Sequence, residues 1–77
     1  MEIIFSQHAK AKIEQRKIPM RAVVAVVQSP DFKKAGYNFR EELYKKLRKV
    51  YLKVVVKYRQ GKVIVITAHL VAKVKNK

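Results

Sequence analysis

From Leu52 to Leu70 apolar and polar residues alternate on both sides of Gln60-Gly61, and this run constrains the fold more than any other. Leu52, Val54, Val56 and Tyr58 alternate with Lys53, Val55, Lys57 and Arg59. Ile64, Ile66, Ala68 and Leu70 alternate with Val63, Val65, Thr67 and His69. A period of two marks strands with one buried face, and a short Gly-containing break between two of them makes a β-hairpin. Register decides what the hairpin displays, because a one-residue slip carries a whole strand's side chains to the other face. A two-residue Gln60-Gly61 loop pairs Arg59 with Lys62 and mixes Val54 with Thr67 and Lys57 with Ile64. A three-residue loop, Arg59 to Gly61, pairs Tyr58 with Lys62. Leu52, Val54, Val56, Ile64, Ile66, Ala68 and Leu70 then share one face. Lys53, Lys57, Thr67 and His69 share the other, with Val55, Val63 and Val65. This separation favours the three-residue loop.

Upstream the signals change. Ile3 to Phe5 reads as a strand, and Ser6 as the N-cap of a helix over residues 7–17. Pro19 breaks that helix and suits the first turn of a second one, over about 19–28 through Val23, Val24, Val26 and Val27; the four valines make strand a rival, and the Pro start, Ala22 and Ala25 favour helix. Ser29-Pro30-Asp31 stops it, so the two form an αα-hairpin. A strand at about 31–37 follows, with Phe32 and Tyr37 as anchors. Residues 40–50 fit a helix through Leu43, Leu47 and Val50 and also fit an edge strand; their composition leans towards helix.

Seventy-seven residues without cysteine make one small domain, 1–77, with no disulfide and no zinc-thiolate site. No apolar run reaches the ~20 residues of a membrane span. The N-terminus has no basic segment before an apolar one and does not read as a signal peptide, so a cytoplasmic location is expected. The charge points to a partner. Residues 1–32 carry five basic and three acidic side chains, and residues 33–77 carry fourteen and two. A half with a net charge of +12 calls for a polyanion, nucleic acid before an anionic membrane surface. An acidic protein partner and a solubilising lysine surface are the alternatives.

Five scattered carboxylates and two histidines suggest no metal site, and no cofactor motif is present. Metal-free RNA cleavage needs a base for the 2′-hydroxyl proton, an acid for the leaving 5′-oxygen and a cation beside the phosphorane. His8, Lys12 and Arg16, spaced i, i+4, i+8, line one side of the first helix. His69, Thr67, Lys53 and Lys57 share one sheet face in the chosen register, and Arg59 extends the basic strand. These groups also have structural readings: a histidine near an N-cap packs or hydrogen-bonds, and a lysine stripe solvates a sheet.

His8-Ala9 opening a helix, Lys12, Arg16 before a break, a Val-rich helix ending in Ser-Pro-Asp, Leu52 to Val56 and Val65-Ile66-Thr67 occur in a telling order. In this order the chain resembles a family of small, functionally uncharacterised domains grouped with RelE/ParE-like toxins. The resemblance implies an α+β fold, β-α-α-β-β-β, with a helix hairpin packed on a curved antiparallel sheet, and it turns residues 40–47 towards strand. It implies a RelE-like toxin, an endoribonuclease acting on mRNA at the ribosome and held by an antitoxin protein. The alternatives are a non-catalytic basic nucleic-acid-binding module and a ParE-like gyrase inhibitor. His8, Arg16 and Thr67 fall on motif positions. The resemblance assigns these positions no chemistry; from the acid, base and cation that RNA cleavage needs, His8, Arg16 and His69 are the candidate catalytic residues, and Lys12, Lys53, Lys57, Arg59 and Thr67 the candidate nucleic-acid contacts. Lys12 stands where arginine is usual, and Ala68-His69 where Val-Tyr is commoner.

Overall fold

The computed structural model describes residues 2–72. The chain runs β1 (Glu2–Phe5), α1 (Gln7–Gln15), α2 (Met20–Gln28), β2 (Phe32–Ala35), β3 (Glu41–Lys46), β4 (Tyr51–Arg59) and β5 (Lys62–Val71). The fold is α+β, two helices on a five-stranded mixed sheet ordered β1-β5-β4-β3-β2. Four strands follow the helix pair, one more than the β-α-α-β-β-β expectation. The sheet is not wholly antiparallel either, because β1 lies parallel to β5. The helices carry the chain from one sheet edge to the other, and the meander β2 to β5 brings it back beside β1.

Each helix begins and ends where local chemistry dictates. The Ser6 hydroxyl accepts a hydrogen bond from Ala9 N at 3.0 Å, satisfying one of the unpaired donors of the first turn. Past the Arg16 C-cap, Lys17 enters the left-handed region at φ 55°. Lys17 N then donates to Glu14 O and Ile18 N to Ile13 O, a Schellman closure with Ile18 and Ile13 both buried. Pro19 starts α2, and its carbonyl accepts from Ala22 N. The end of α2 is tied to β3: Asp31 N donates to Tyr44 O, Lys46 N donates to the Asp31 carboxylate, and Lys45 Nζ donates to Ser29 O.

The core lies between the helices and one sheet face. Ala9, Ile13, Ile18, Val23 and Val26 meet Leu43, Leu52, Val54, Val56, Val63, Val65 and Ala68. Ala9 and Ile13 stand four residues apart in α1 and Val23 and Val26 three apart in α2, which keeps one face of each short helix on the sheet. Burial of each valine, leucine or isoleucine among them contributes about 1.5–3 kcal/mol before conformational entropy is set against it.

The hairpin corrects the expected register. Arg59 pairs with Lys62, so the loop has two residues, Gln60 and Gly61. Both take positive φ, 48° and 76°, the backbone of a type I′ turn whose twist matches its strands. The face separation is recovered by a bulge instead. Val56 pairs with Val65 and Val55 with Thr67, leaving Ile66 as the extra residue. Leu52, Val54 and Val56 are buried as expected. On β5 the buried residues are Val63, Val65 and Ala68; Ile64 and Ile66 are only half-buried, and Leu70 is 49% exposed.

Strand β3 stands where the resemblance implies a strand, over residues 40–47, and against the helical lean of the composition of residues 40–50. It pairs with β2 on one side and β4 on the other, and Leu43 and Tyr44 are buried on opposite faces. Tyr37 anchors nothing: it lies in the β2–β3 loop, 83% exposed.

Candidate functional site

The sheet face turned away from the helices carries two cross-strand rows. Phe32, Tyr44, Lys53 and His69 stand side by side across β2, β3, β4 and β5, and Lys34, Glu42, Val55 and Thr67 form the adjacent row. Directly opposed residues have Cβ atoms about 4.5–5.5 Å apart, so each row is a set of touching neighbours. Phe32 stacks on Tyr44 at 4.8 Å between ring centroids, and Tyr51 meets Phe32 edge-on at 5.8 Å. Tyr44 donates to a Glu42 carboxylate oxygen at 2.9 Å, and Lys53 Nζ lies 3.6 Å from the other. Lys53 and Lys34 stand over the Tyr44 ring at 5.9 and 5.8 Å.

Arg16 reaches this face from α1. β1 pairs with β5 only as far as Val65, so the outer edge of β5 is uncovered beyond that point. There Arg16 Nη1 donates to Ala68 O at 2.8 Å and, at a long 3.4 Å, to Thr67 Oγ1. The Schellman closure behind it fixes where the guanidinium begins. One guanidinium nitrogen thus anchors the side chain at the Ala68 carbonyl, between Thr67 and His69 in sequence.

Electrostatics set the state of each group. Burial, then the Lys53 and Arg16 charges, push the His69 imidazole below its ordinary 6.5, with the Glu42 carboxylate opposing them. His69 is therefore neutral at pH 7, able to accept a proton. Tyr44 is pushed up to about 12 by burial, by its hydrogen bond to Glu42 and by the Glu42 charge. It is a fixed hydrogen-bond donor, not an acid at neutral pH.

The fold thus gathers Arg16, Lys53, Thr67 and His69. Lys57 lies on the same face, opposite Ile64, nearer the hairpin tip, and Arg59 is exposed at the tip itself. Lys12 is half-buried one turn before Arg16. His8 is exposed at the other end of α1, about 12 Å along the helix axis from Arg16 at 1.5 Å per residue. Glu42 and Tyr44 were missed because residues 40–50 read as well in helical as in strand spacing. The alternation Glu42-Leu43-Tyr44, read as a strand, places both on one face.

A cleft of about 310 Å³ on the helix side is lined by Ile3, Val27, Gln28, Tyr58 and Val63 and contains none of these groups. Among the described residues, no three His, Asp or Glu side chains come together to hold a metal. None of the described helices is long and apolar enough to cross a membrane.

One family model, a domain of unknown function designated DUF4258, matches residues 5–69. The chain belongs to the DUF4258 family. Of this DUF4258 domain the match takes in both helices, strands β2 to β4, β5 as far as His69, and every candidate residue from His8 to His69. No curated protein and no solved structure matches it.

Proposed function

We propose that this DUF4258 domain is a RelE-like, metal-independent endoribonuclease that acts on mRNA at the ribosome and is masked by an antitoxin protein. One observation carries the reading: a neutral imidazole, His69, stands directly opposite an ammonium, Lys53, with the anchored Arg16 guanidinium beside them. RNA cleavage needs these groups together. His69 takes the proton from a 2′-hydroxyl, whose oxygen bonds to the adjacent phosphorus. Arg16 donates its remaining N–H groups to the phosphate oxygens as charge builds in the phosphorane. The bond to the 5′-oxygen breaks, and that oxygen takes a proton from Lys53 or from the His69 imidazolium. The products are a 2′,3′-cyclic phosphate and a 5′-hydroxyl. Thr67 orients Arg16, and Glu42 with Tyr44 orients Lys53. Lys57 and Arg59 extend the phosphate track towards the hairpin tip, and Lys12 adds charge from α1. His8 lies outside this arrangement and serves at most as an RNA contact.

A second reading is a binding module that uses the same face without chemistry. The Lys53–Glu42 ion pair favours it, because a cation held by a carboxylate is less free to serve a phosphate. Expressing the chain alone in a bacterium separates the readings. Loss of RNA integrity with arrested growth supports the nuclease, and DNA damage with intact RNA supports a gyrase inhibitor. Normal growth with intact RNA leaves the binding module.

A further inference from the structure

The β2–β3 loop displays two aromatic rings that the fold does not use. Phe39 is 96% exposed and Tyr37 83% exposed, so neither contributes to the core. The loop is closed by its own backbone: Gly36 N donates to Arg40 O at 2.7 Å and Arg40 N to Tyr37 O at 3.2 Å. Asn38 and Phe39 both take positive φ, 56° and 62°. That conformation is ordinary for asparagine and unfavourable for a phenylalanine. A bulky ring is therefore held outward on a closed loop, at a conformational cost with no return in packing.

The surroundings are basic. Ala35 pairs with Glu41, and Glu41 with Val56, so the loop lies at the same sheet end as Lys57 and the β4–β5 tip. Arg40 stands within the loop, Lys57 and Arg59 stand on β4 beside β3, and Lys62 opens β5 one strand further on. Aromatic faces interleaved with cations bind single-stranded nucleic acid: the cations follow the phosphates while unpaired bases stack on the rings. A duplex keeps its bases stacked on each other and offers the rings nothing.

We propose that the β2–β3 tip is a stacking platform for unpaired bases of single-stranded RNA, with Phe39 and Tyr37 as the platform. The inference rests on the reading of the basic face as an RNA surface and specifies which form of RNA it takes.

Fluorescence anisotropy with a labelled single-stranded oligoribonucleotide, the same sequence as a duplex, and an abasic version of the single strand tests it. Phe39→Ala is expected to weaken single-strand binding about tenfold or more, the effect of losing one stacked base. Duplex binding should change less than about twofold, and the melting temperature should hold, since the ring is solvent-exposed. Phe39→Trp should retain affinity while Phe39→Leu, apolar but without an aromatic face, should not. The abasic strand should bind the wild type and Phe39→Ala alike. Equal losses on single strand and duplex overturn the platform, as does full affinity in the Tyr37→Ala, Phe39→Ala double variant; the latter reassigns the rings to a protein contact. Failure of the wild type to bind any RNA at low salt overturns the underlying reading as well.

Discussion

Arg16 Nη1 donates to the backbone carbonyl of Ala68 at 2.8 Å, tying the last turn of α1 to the part of β5 that β1 does not cover. The bond satisfies an edge carbonyl and places a permanent cation one residue from His69. Arg16→Ala should therefore cost about 1 kcal/mol, a fall of about 4–8 °C in melting temperature, without unfolding the domain. Arg16→Lys keeps the charge and loses the fork geometry, so it should recover RNA binding better than cleavage. Thermal melts of the three proteins beside binding and cleavage assays check both statements.

The loop that aims Arg16 is strained. Lys17 occupies the left-handed position that glycine adopts without penalty, inside a complete Schellman closure. Lys17→Gly should raise stability by roughly 0.5–1 kcal/mol, measured by urea denaturation. Lys17→Val, β-branched at the same φ, should lower it.

The elements legible in the sequence were those with a strong local signal. The hairpin, the Ser6 cap and the two helices separated by Pro19 all rest on neighbouring residues. The register was not legible, because two devices give the same face pattern beyond Ile66 and differ only between the turn and the bulge, where Val63 and Val65 are buried in place of Ile64 and Ile66. A three-residue loop and a two-residue loop followed by a bulge both bring Ala68 to the same face as Val54. The twist-matched Gln60-Gly61 turn was kept, and the extra residue went into Ile66. β3 was hidden because Leu43, Leu47 and Val50 mimic a helix face. The parallel pairing of β1 with β5 depends on the whole chain and leaves no local trace. Of the candidate site, the grouping of Lys53, Thr67 and His69 on one face could be read from alternation. Arg16 was read only as part of a helix stripe; that it turns over the sheet edge is a tertiary fact.

His69 gives a pH signature. Its imidazole is held below 6.5 by burial first and then by Lys53 and Arg16, so its neutral form is favoured in the folded state. The stability this contributes is fully present above pH 6.5 and is lost as pH falls through the lowered value. An NMR titration should place the His69 ring midpoint below 6.5, and Lys53→Gln should raise it. A midpoint above 6.5 in the wild type would remove His69 as a base at neutral pH.

Tyr44 gives the opposite signature at high pH. Its phenol is neutral up to about pH 12 in the fold, against 10.0 without its surroundings. The stability it contributes is present below pH 10 and is lost as pH rises from about 10 to about 12. Ultraviolet titration should show a late-ionising tyrosine, and Glu42→Gln should bring its midpoint down, since the acceptor and its charge both change. An unchanged midpoint in that variant would show that burial alone sets the shift.

The most direct test of the nuclease reading is cleavage of a 3′-labelled single-stranded RNA in excess EDTA, with and without ribosomes. The wild type should release a 5′-hydroxyl fragment and leave a 2′,3′-cyclic phosphate on the other. Arg16→Ala and His69→Ala should each reduce the rate at least a hundredfold, the low end for an acid–base or charge-stabilising group, with melting temperatures that show the fold intact. His8→Ala should cleave within about threefold of the wild type, because His8 lies at the far end of α1. Cleavage undiminished in Arg16→Ala, or no cleavage by the wild type in either format, would contradict the account.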